Sequence, residues 1–173
     1  MRMEVGSGQA ATINLAEHRV FSGSFKKLYG EGMHLVEEAA EYLDGQGRLE
    51  AKSLSRIAAT LYAAESMRLT TRLMQIASWL LLQRAANSGE MTRDQVAAEK
   101  SKVRLDTASA FDTDHSWGEL PASFRDLVDR SLRLQSLVRR MDGEVYGADD
   151  SFERRAVNPV SDQITLLKTA FGR

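Results

Sequence analysis

The sequence lacks cysteine altogether and has only 2 prolines among its 173 residues. Without cysteine, the chain has no disulfide bond, no thiolate metal site and no cysteine nucleophile, which suits the reducing cytoplasm. Its charge is balanced as well, with 23 basic and 24 acidic residues and a formal net charge of -1. No overall field therefore attracts nucleic acid or an anionic membrane, and we expect neither as a direct partner.

Long apolar runs are also missing. Residues 1–20 lack the roughly seven consecutive apolar residues that a secretory signal requires, so we expect no export. The most apolar run, residues 76–82, includes Ser78 and is far shorter than the ~20 residues that cross a bilayer. We therefore expect no membrane insertion.

Residues that could carry chemistry are few. Asp112, Asp114 and His115 form the only local cluster that could bind a divalent cation, and an acidic loop with hydrogen bonds to its own backbone is the favoured interpretation. His18 and His34 lack the spaced partners of a zinc helix motif, and no glycine-rich segment matches a phosphate loop. We predict a protein without catalytic site, metal or cofactor.

The stretch from Glu50 to Ala86 contains no glycine and no proline, which predicts one long helix. At about 1.5 Å per residue it would span roughly 55 Å, so other elements must pack along it. The first half has one apolar stripe that we expect to face the core. This stripe consists of Leu54, Ile57, Ala58, Leu61 and Tyr62.

Two further helices are predicted to flank the long one. The first begins near Phe25 and ends at Gly45 and Gly47, which favour helix termination. The third begins at Pro121, a residue typical of a first helical turn. Gly32 lies in the apolar stripe of the first helix, where it either admits a close neighbour or marks a later helix start.

Short connections between these helices predict antiparallel neighbours. We therefore predict an all-α fold, an antiparallel three-helix bundle with a long central helix. Its predicted parts are a flexible segment at 1–22, the bundle at 23–146 and a mobile tail at 147–173.

The end of the long helix, from Leu73 to Leu82, is apolar in nearly every direction. A helix of this kind must be covered on more than one side, so we expect a second copy of the chain to cover it, in a homodimer. Burial by the chain's own connecting segments is the alternative. The predicted dimer interface consists of Leu73, Met74, Ile76, Leu80 and Leu81.

Charged residues interrupt the apolar stripe of the long helix at Glu65, Arg68 and Arg72. They form either a partner-binding patch or a set of side chains whose charged ends reach water at the edge of the bundle. Two other partner-binding candidates are a basic surface on the third helix and an apolar face in the tail. These candidates are Arg139 and Arg140, and Ile164, Leu167 and Phe171.

Three segments resemble one bacterial family, the RcdA family of regulators of CtrA degradation. They are YGEGMHLVEEAAEYLDGQGR at 29–48, YAAESMRLTTRLMQIASWLLLQRA at 62–85 and GEMTRDQVAAEKSKVRL at 89–105. The resemblance implies a dimeric helical bundle that acts as a non-enzymatic adaptor for the ClpXP protease in the cytoplasm, with recruitment to a cell pole. Its implied partners are a response regulator that primes the protease, a cyclic-di-GMP effector protein and transcription-regulator cargo such as CtrA.

A DNA-associated regulator is the alternative function. The third helix carries Arg133, Arg139 and Arg140, and a basic helix neutralises phosphates. The near-zero net charge argues against this alternative.

Overall fold

The computed structural model describes residues 23–110 and 115–156, and this part of the chain is helical, without β-strands. The three long helices, α1, α3 and α5, pack against one another, which confirms the all-α class. A short 3-10 helix, His115–Glu119, precedes α5. The α-helices are α1 (Gly23–Asp44), α2 (Gln46–Ala51), α3 (Arg56–Asn87), α4 (Arg93–Lys100) and α5 (Ala122–Ala156).

The long helix α3 supplies both halves of the hydrophobic core. At its beginning, Tyr62 packs on the fully buried Phe124 of α5, with ring centroids 4.5 Å apart. Towards its end, Trp79 is buried in a second cluster with Phe25 of α1, and its indole Nε1 donates to Asp142 Oδ1 of α5 at 2.6 Å. The inner face of α3 thereby holds α1 and α5 in place.

The glycine in the apolar stripe of α1 is a site of close helix contact. Gly32 is buried, and a Cβ at this position would lie 2.5 Å from Leu80 Cδ1 of α3. The prediction of a close neighbour is confirmed. A helix start after Gly32 is wrong, because α1 already begins at Gly23.

The long helix begins later than predicted. Ser55 is its N-cap, and its Oγ accepts a hydrogen bond from the Ala58 backbone at 3.2 Å. Glu50, the predicted start, belongs to α2, where its carboxylate accepts from the Tyr42 hydroxyl at 2.6 Å. The break between α2 and α3 is therefore marked by a serine N-cap and by no glycine or proline.

The last helix extends beyond the predicted end of the bundle at residue 146. α5 continues through Gly143 and Gly147 to Ala156. Each glycine destabilises a helix by only about 1 kcal/mol relative to alanine, and the packing of neighbouring residues on α3 offsets that cost. Val145 is buried, and Tyr146 donates to Gln83 of α3 at 2.9 Å.

Of the two predicted flexible segments, residues 1–22 and residues 157–173 of the tail lie outside the described part, and residues 147–156 of the tail belong to α5. None of the described helices is long and apolar enough to cross a membrane.

Candidate interaction surfaces

The charged interruption in α3 is an internal ion pair. Glu65 and Arg72 are both 0% exposed, and Arg72 Nη2 lies 3.4 Å from Glu65 Oε1. Arg72 Nη1 donates to Ser131 Oγ of α5 at 2.8 Å. Its Nε and Nη2 donate to the carbonyls of Thr107 and Ala108 at 3.2 and 3.1 Å. Arg72 therefore joins α3 to α5 and to the segment before the 3-10 helix.

The carboxylate of this pair is satisfied in the same way. Glu65 Oε2 accepts from the Ala110 backbone and from Arg68 Nη1, each at 3.2 Å. Burial lowers the pKa of Arg72, and the neighbouring Glu65 opposes that shift. Glu65 and Arg72 both make their hydrogen bonds within the chain. The structure therefore corrects the two predictions for them, a partner-binding patch and side chains whose charged ends reach water at the edge of the bundle. Only Arg68, with its side chain 43% exposed, reaches the surface.

The outward face of α3 carries a regular row of large apolar side chains. Met67, Met74 and Leu81 recur at every seventh position and are 73%, 65% and 47% exposed. Thr71 and Ser78 occupy the positions between them, and the alternating spacing of three and four residues is that of a coiled-coil seam. We call this face the outer seam, and it consists of Ile57, Thr60, Ala64, Met67, Thr71, Met74, Ser78, Leu81 and Ala85.

The hydroxyl groups of the outer seam already have partners within α3. Thr71 Oγ1 donates to the Met67 carbonyl at 2.9 Å, and Ser78 Oγ donates to the Met74 carbonyl at 2.8 Å. Thr60 Oγ1 donates to a backbone carbonyl of the preceding turn at 3.0 Å. Covering the seam would therefore leave no hydroxyl donor without an acceptor, and a dry contact is chemically feasible.

Three residues of the predicted dimer interface lie elsewhere. Leu73, Ile76 and Leu80 are 4%, 0% and 0% exposed, because they belong to the core of this chain. The structure therefore removes them from the interface, and Met74 and Leu81 stay as candidates. Conversely, Ile57 was expected in the core but is 69% exposed on the outer seam.

A second surface is the groove between α1 and α5. Two adjoining cavities of about 330 and 170 Å³ form it and share Leu137. Leu28 and Leu134 add apolar surface, and Arg140 lines the second cavity. Arg139 is exposed on the same helix. We call this surface the basic groove.

The arginines around the basic groove differ in their partners. Arg130 makes a bidentate contact with Glu38 of α1, at 2.6 and 2.7 Å, and Arg133 pairs with Asp129. The contact between Arg130 and Glu38 lowers the pKa of Glu38 and raises the pKa of Arg130.

Two further arginines of α5, Arg139 and Arg140, are not engaged in this way. Neither Arg139 nor Arg140 has an ion pair within the described residues, and both are exposed. They remain the candidates for an acidic partner.

Comparison with known proteins then identifies the family. A family model described as a protein of unknown function (DUF1465) matches residues 16–171. The crystal structure of RcdA from Caulobacter crescentus CB15 is 47% identical in sequence, with a TM-score of 0.57 over 72% of this chain and 92% of that chain. The chain belongs to the RcdA family. No curated protein matches it.

The segments that resemble the RcdA family occupy the structural centre of the chain. Residues 29–48 run from α1 into α2, residues 62–85 lie in α3, and residues 89–105 contain α4. The second segment carries most of the outer seam and the buried ion pair together. The three segments therefore extend from α1 to α4 and include most of the helix that the other elements pack around.

Several predicted residues of this RcdA-family chain lie outside the described part. Ile164, Leu167 and Phe171 belong to them, as do Asp112 and Asp114 of the candidate metal cluster. Within the described residues, no group of three side chains is arranged to hold a metal ion.

Sequence reasoning missed Met67. The repeat of Met67, Met74 and Leu81 was a signal that could have found the outer seam before the structure was known.

Proposed function

We propose that the chain is a non-enzymatic adaptor that promotes degradation of CtrA-like cell-cycle regulators by the ClpXP protease. The observation that carries this proposal is the 47% identity to RcdA over 92% of that chain. An adaptor raises the local concentration of cargo at a protease, which requires at least two contact surfaces. The basic groove and the tail are the two such surfaces that we propose, while the outer seam joins two copies of the chain.

A reconstituted degradation assay tests the adaptor role. It contains ClpXP, the priming response regulator, the cyclic-di-GMP effector protein and a CtrA-like cargo, with and without the full chain. We expect cargo to disappear faster when the chain is present. An unchanged rate with a folded chain and an active protease would contradict the proposal.

The outer seam is the proposed interface of a homodimer. An antiparallel pairing about a two-fold axis near Thr71 would place Ile57 opposite Ala85 and Ala64 opposite Ser78. Ile57 would then meet a small residue, and the pairs nearest the axis would be small on both sides, which permits close helix approach. The hydroxyl groups within the seam already have acceptors, so the desolvation cost is low.

Met74→Glu tests the dimer, since it introduces a charge into the apolar seam. We expect the wild-type chain to sediment as a dimer and the variant to sediment as a helical monomer. Leu49→Glu is the matched control, because Leu49 is 61% exposed on α2, away from the seam. A wild-type monomer at high concentration, or a dimeric Met74→Glu variant, would contradict the proposed interface.

The basic groove is the proposed surface for an acidic partner, whether primer, effector or cargo. Arg140 lines the groove, Arg139 is exposed next to it in the sequence, and neither has an ion pair within the described residues. Reversing both charges, with Arg139→Glu and Arg140→Glu, should slow cargo degradation in the assay above. Arg48→Glu on α2 is an exposed control that should leave the rate unchanged.

The tail residues Ile164, Leu167 and Phe171 are proposed as a third contact. Deleting residues 161–173 should reduce degradation of cargo while the melting temperature of the chain stays the same. Equal degradation by the shortened chain would remove the tail from the proposal. For localisation, we propose the cytoplasm, with recruitment to a cell pole.

The DNA-associated alternative has less support. Of the three arginines that it depends on, Arg133 is paired with Asp129 within α5, which leaves Arg139 and Arg140 for phosphates. A duplex titration at two salt concentrations separates the two functions, because binding through phosphates weakens steeply as salt rises.

A further inference from the structure

Two residues of the outer seam carry an oxidisable sulfur at the surface of the single chain. Met67 and Met74 are 73% and 65% exposed. The other methionines of the described part, Met33, Met91 and Met141, are half-buried. Because the sequence has no cysteine, no thiol competes with these thioethers for a mild oxidant. Met67 and Met74 are therefore the most accessible oxidisable sulfurs of the described residues.

Both methionines lie at the centre of the outer seam. They flank Thr71, four and three positions away from it. At a rise of about 1.5 Å per residue, their backbones lie within about 6 Å of the two-fold axis of the proposed homodimer, measured along the helix. Two copies of the chain would therefore hold four thioethers in the middle of the contact, where pairing removes water.

A peroxide converts a methionine thioether into a sulfoxide. The sulfur lone pair attacks one peroxide oxygen, the O–O bond breaks, and the other oxygen leaves as water, so sulfur is oxidised and the peroxide is reduced. The product is a polar S=O group, which costs free energy to bury without a hydrogen-bond donor. The hydroxyls of Thr71 and Ser78 already donate to the carbonyls of Met67 and Met74, at 2.9 and 2.8 Å. Neither hydroxyl is free to satisfy a sulfoxide.

We propose that Met67 and Met74 are oxidation sites through which a peroxide separates two copies of the chain. The peroxide acts on the unpaired chain, in which both thioethers are exposed, and the sulfoxides then oppose pairing. Since both side chains point away from the core, the oxidised chain stays folded. This switch rests on the proposed homodimer and is independent of the delivery of CtrA-like cargo.

Sedimentation of the full chain before and after treatment with hydrogen peroxide tests the proposal, and peptide mass spectrometry locates the added oxygens. Oxidation at Met67 and Met74 should raise the dissociation constant of the dimer at least about tenfold. Circular dichroism should show an unchanged helix content, and methionine sulfoxide reductases should restore the dimer. Unchanged dimer affinity with oxygen on both methionines would overturn the switch alone. An untreated chain that is already monomeric would overturn the homodimer, and the switch with it.

Pairing should in turn protect the two sulfurs. Peroxide should oxidise Met67 and Met74 more slowly at a protein concentration well above the dissociation constant than at one well below it. Met33 lies on α1, outside the outer seam, and should be oxidised at the same rate at both concentrations. Equal rates for Met67 and Met74 at the two concentrations would contradict their place in the contact.

Variants of α3 assign the effect to these two residues. The double variant Met67→Leu with Met74→Leu keeps the seam apolar without sulfur, so its dimer affinity should be the same before and after peroxide. Met67→Gln with Met74→Gln introduces polar side chains of similar length and should weaken pairing without any peroxide. The matched control, Met33→Leu, should respond to peroxide as the wild type does. If peroxide still separated the leucine double variant, the methionines elsewhere in the chain would be responsible and the proposal would be wrong.

Discussion

Replacing Arg72 by methionine is the most informative perturbation of this fold. Arg72→Met keeps a long side chain in the core but removes the guanidinium that contacts Glu65 at 3.4 Å and Ser131 at 2.8 Å. The Glu65 carboxylate then stays buried, with Arg68 and one backbone amide as its remaining contacts. The variant therefore tests whether this internal ion pair stabilises the chain.

The magnitude follows from what each group loses. Breaking a buried ion pair by removing one partner costs about 3–5 kcal/mol when the other charge loses its compensation, and the exposed Arg68, worth about 1 kcal/mol or less, compensates Glu65 only in part. Domains unfold with about 5–15 kcal/mol in total, so the loss is a large share of the stability. For a chain of this size each kcal/mol changes the melting temperature by about 2–4 °C, which predicts a decrease of roughly 6–20 °C.

Other acceptors of Arg72 should add little to this cost. The Thr107 carbonyl keeps a contact with Gln135 at 3.3 Å, and Ala108 is exposed to water. Ser131 still donates to the Val128 carbonyl at 2.6 Å. A double variant, Glu65→Met with Arg72→Met, should therefore recover much of the loss, because no buried charge remains.

Far-UV circular dichroism and urea unfolding measure these effects, at one fixed protein concentration because dimerisation would shift the midpoint. Arg68→Met is the matched control. Arg68 binds the same carboxylate at 3.2 Å from an exposed position, and surface pairs contribute about 1 kcal/mol or less. Hydrogen exchange at residues 107–110 should also rise in Arg72→Met. The reasoning is refuted if Arg72→Met unfolds within about 1 kcal/mol of the wild type, or if the double variant is simply additive.

Two further substitutions test the packing of α2 and the link between α1 and α5. Gly47→Ala should destabilise the chain by about 1–3 kcal/mol, because a Cβ there would lie 2.8 Å from the Tyr42 ring and 2.9 Å from its carbonyl. Gly30→Ala, where nothing lies within 4 Å of the new Cβ, should instead stabilise α1 by up to about 1 kcal/mol; thermal unfolding compares the two, and equal effects would contradict the close approach. Glu38→Gln should cost about 1 kcal/mol or less at pH 7, because Arg130 lowers the pKa of this half-exposed carboxyl from its ordinary 4.5. Because the pKa of Glu38 is lower in the folded chain, its carboxylate stabilises the fold at pH values above its ordinary pKa. This contribution is lost as the pH falls through the folded-state pKa. Urea unfolding at steps from neutral to acidic pH should show that the difference in unfolding free energy between wild type and Glu38→Gln shrinks. A difference that grows towards acidic pH would contradict a lowered pKa of Glu38.

Much of the fold was predictable because it depends on neighbouring residues. The helical period identified α1, α3 and α5, and Gly45 was correctly placed at the end of α1. Local capping was harder to weigh. Ser55 begins α3 through a cap formed by its own side chain. α5 continues through Gly143 and Gly147, because packing outweighs the weak preference of glycine against helix.

The candidate surfaces were predictable only in part. Met74 and Leu81 were named from composition alone, yet Leu73 and Leu80 were named with them and are buried in the core. The apolar residues around the end of α3 point in all directions, so periodicity could not tell which side α1 and α5 would cover.

The sequence by itself determined an all-helical chain without cysteine chemistry, since helix period, glycine position and residue type are properties of short stretches. Only the tertiary structure decided that Glu65 and Arg72 are internal and that Met67 and Met74 face outward. The physical reason is that burial is set by contacts between residues far apart in the chain. Arg72 is satisfied by Ser131, which lies on a different helix, and no local pattern around either residue encodes that meeting.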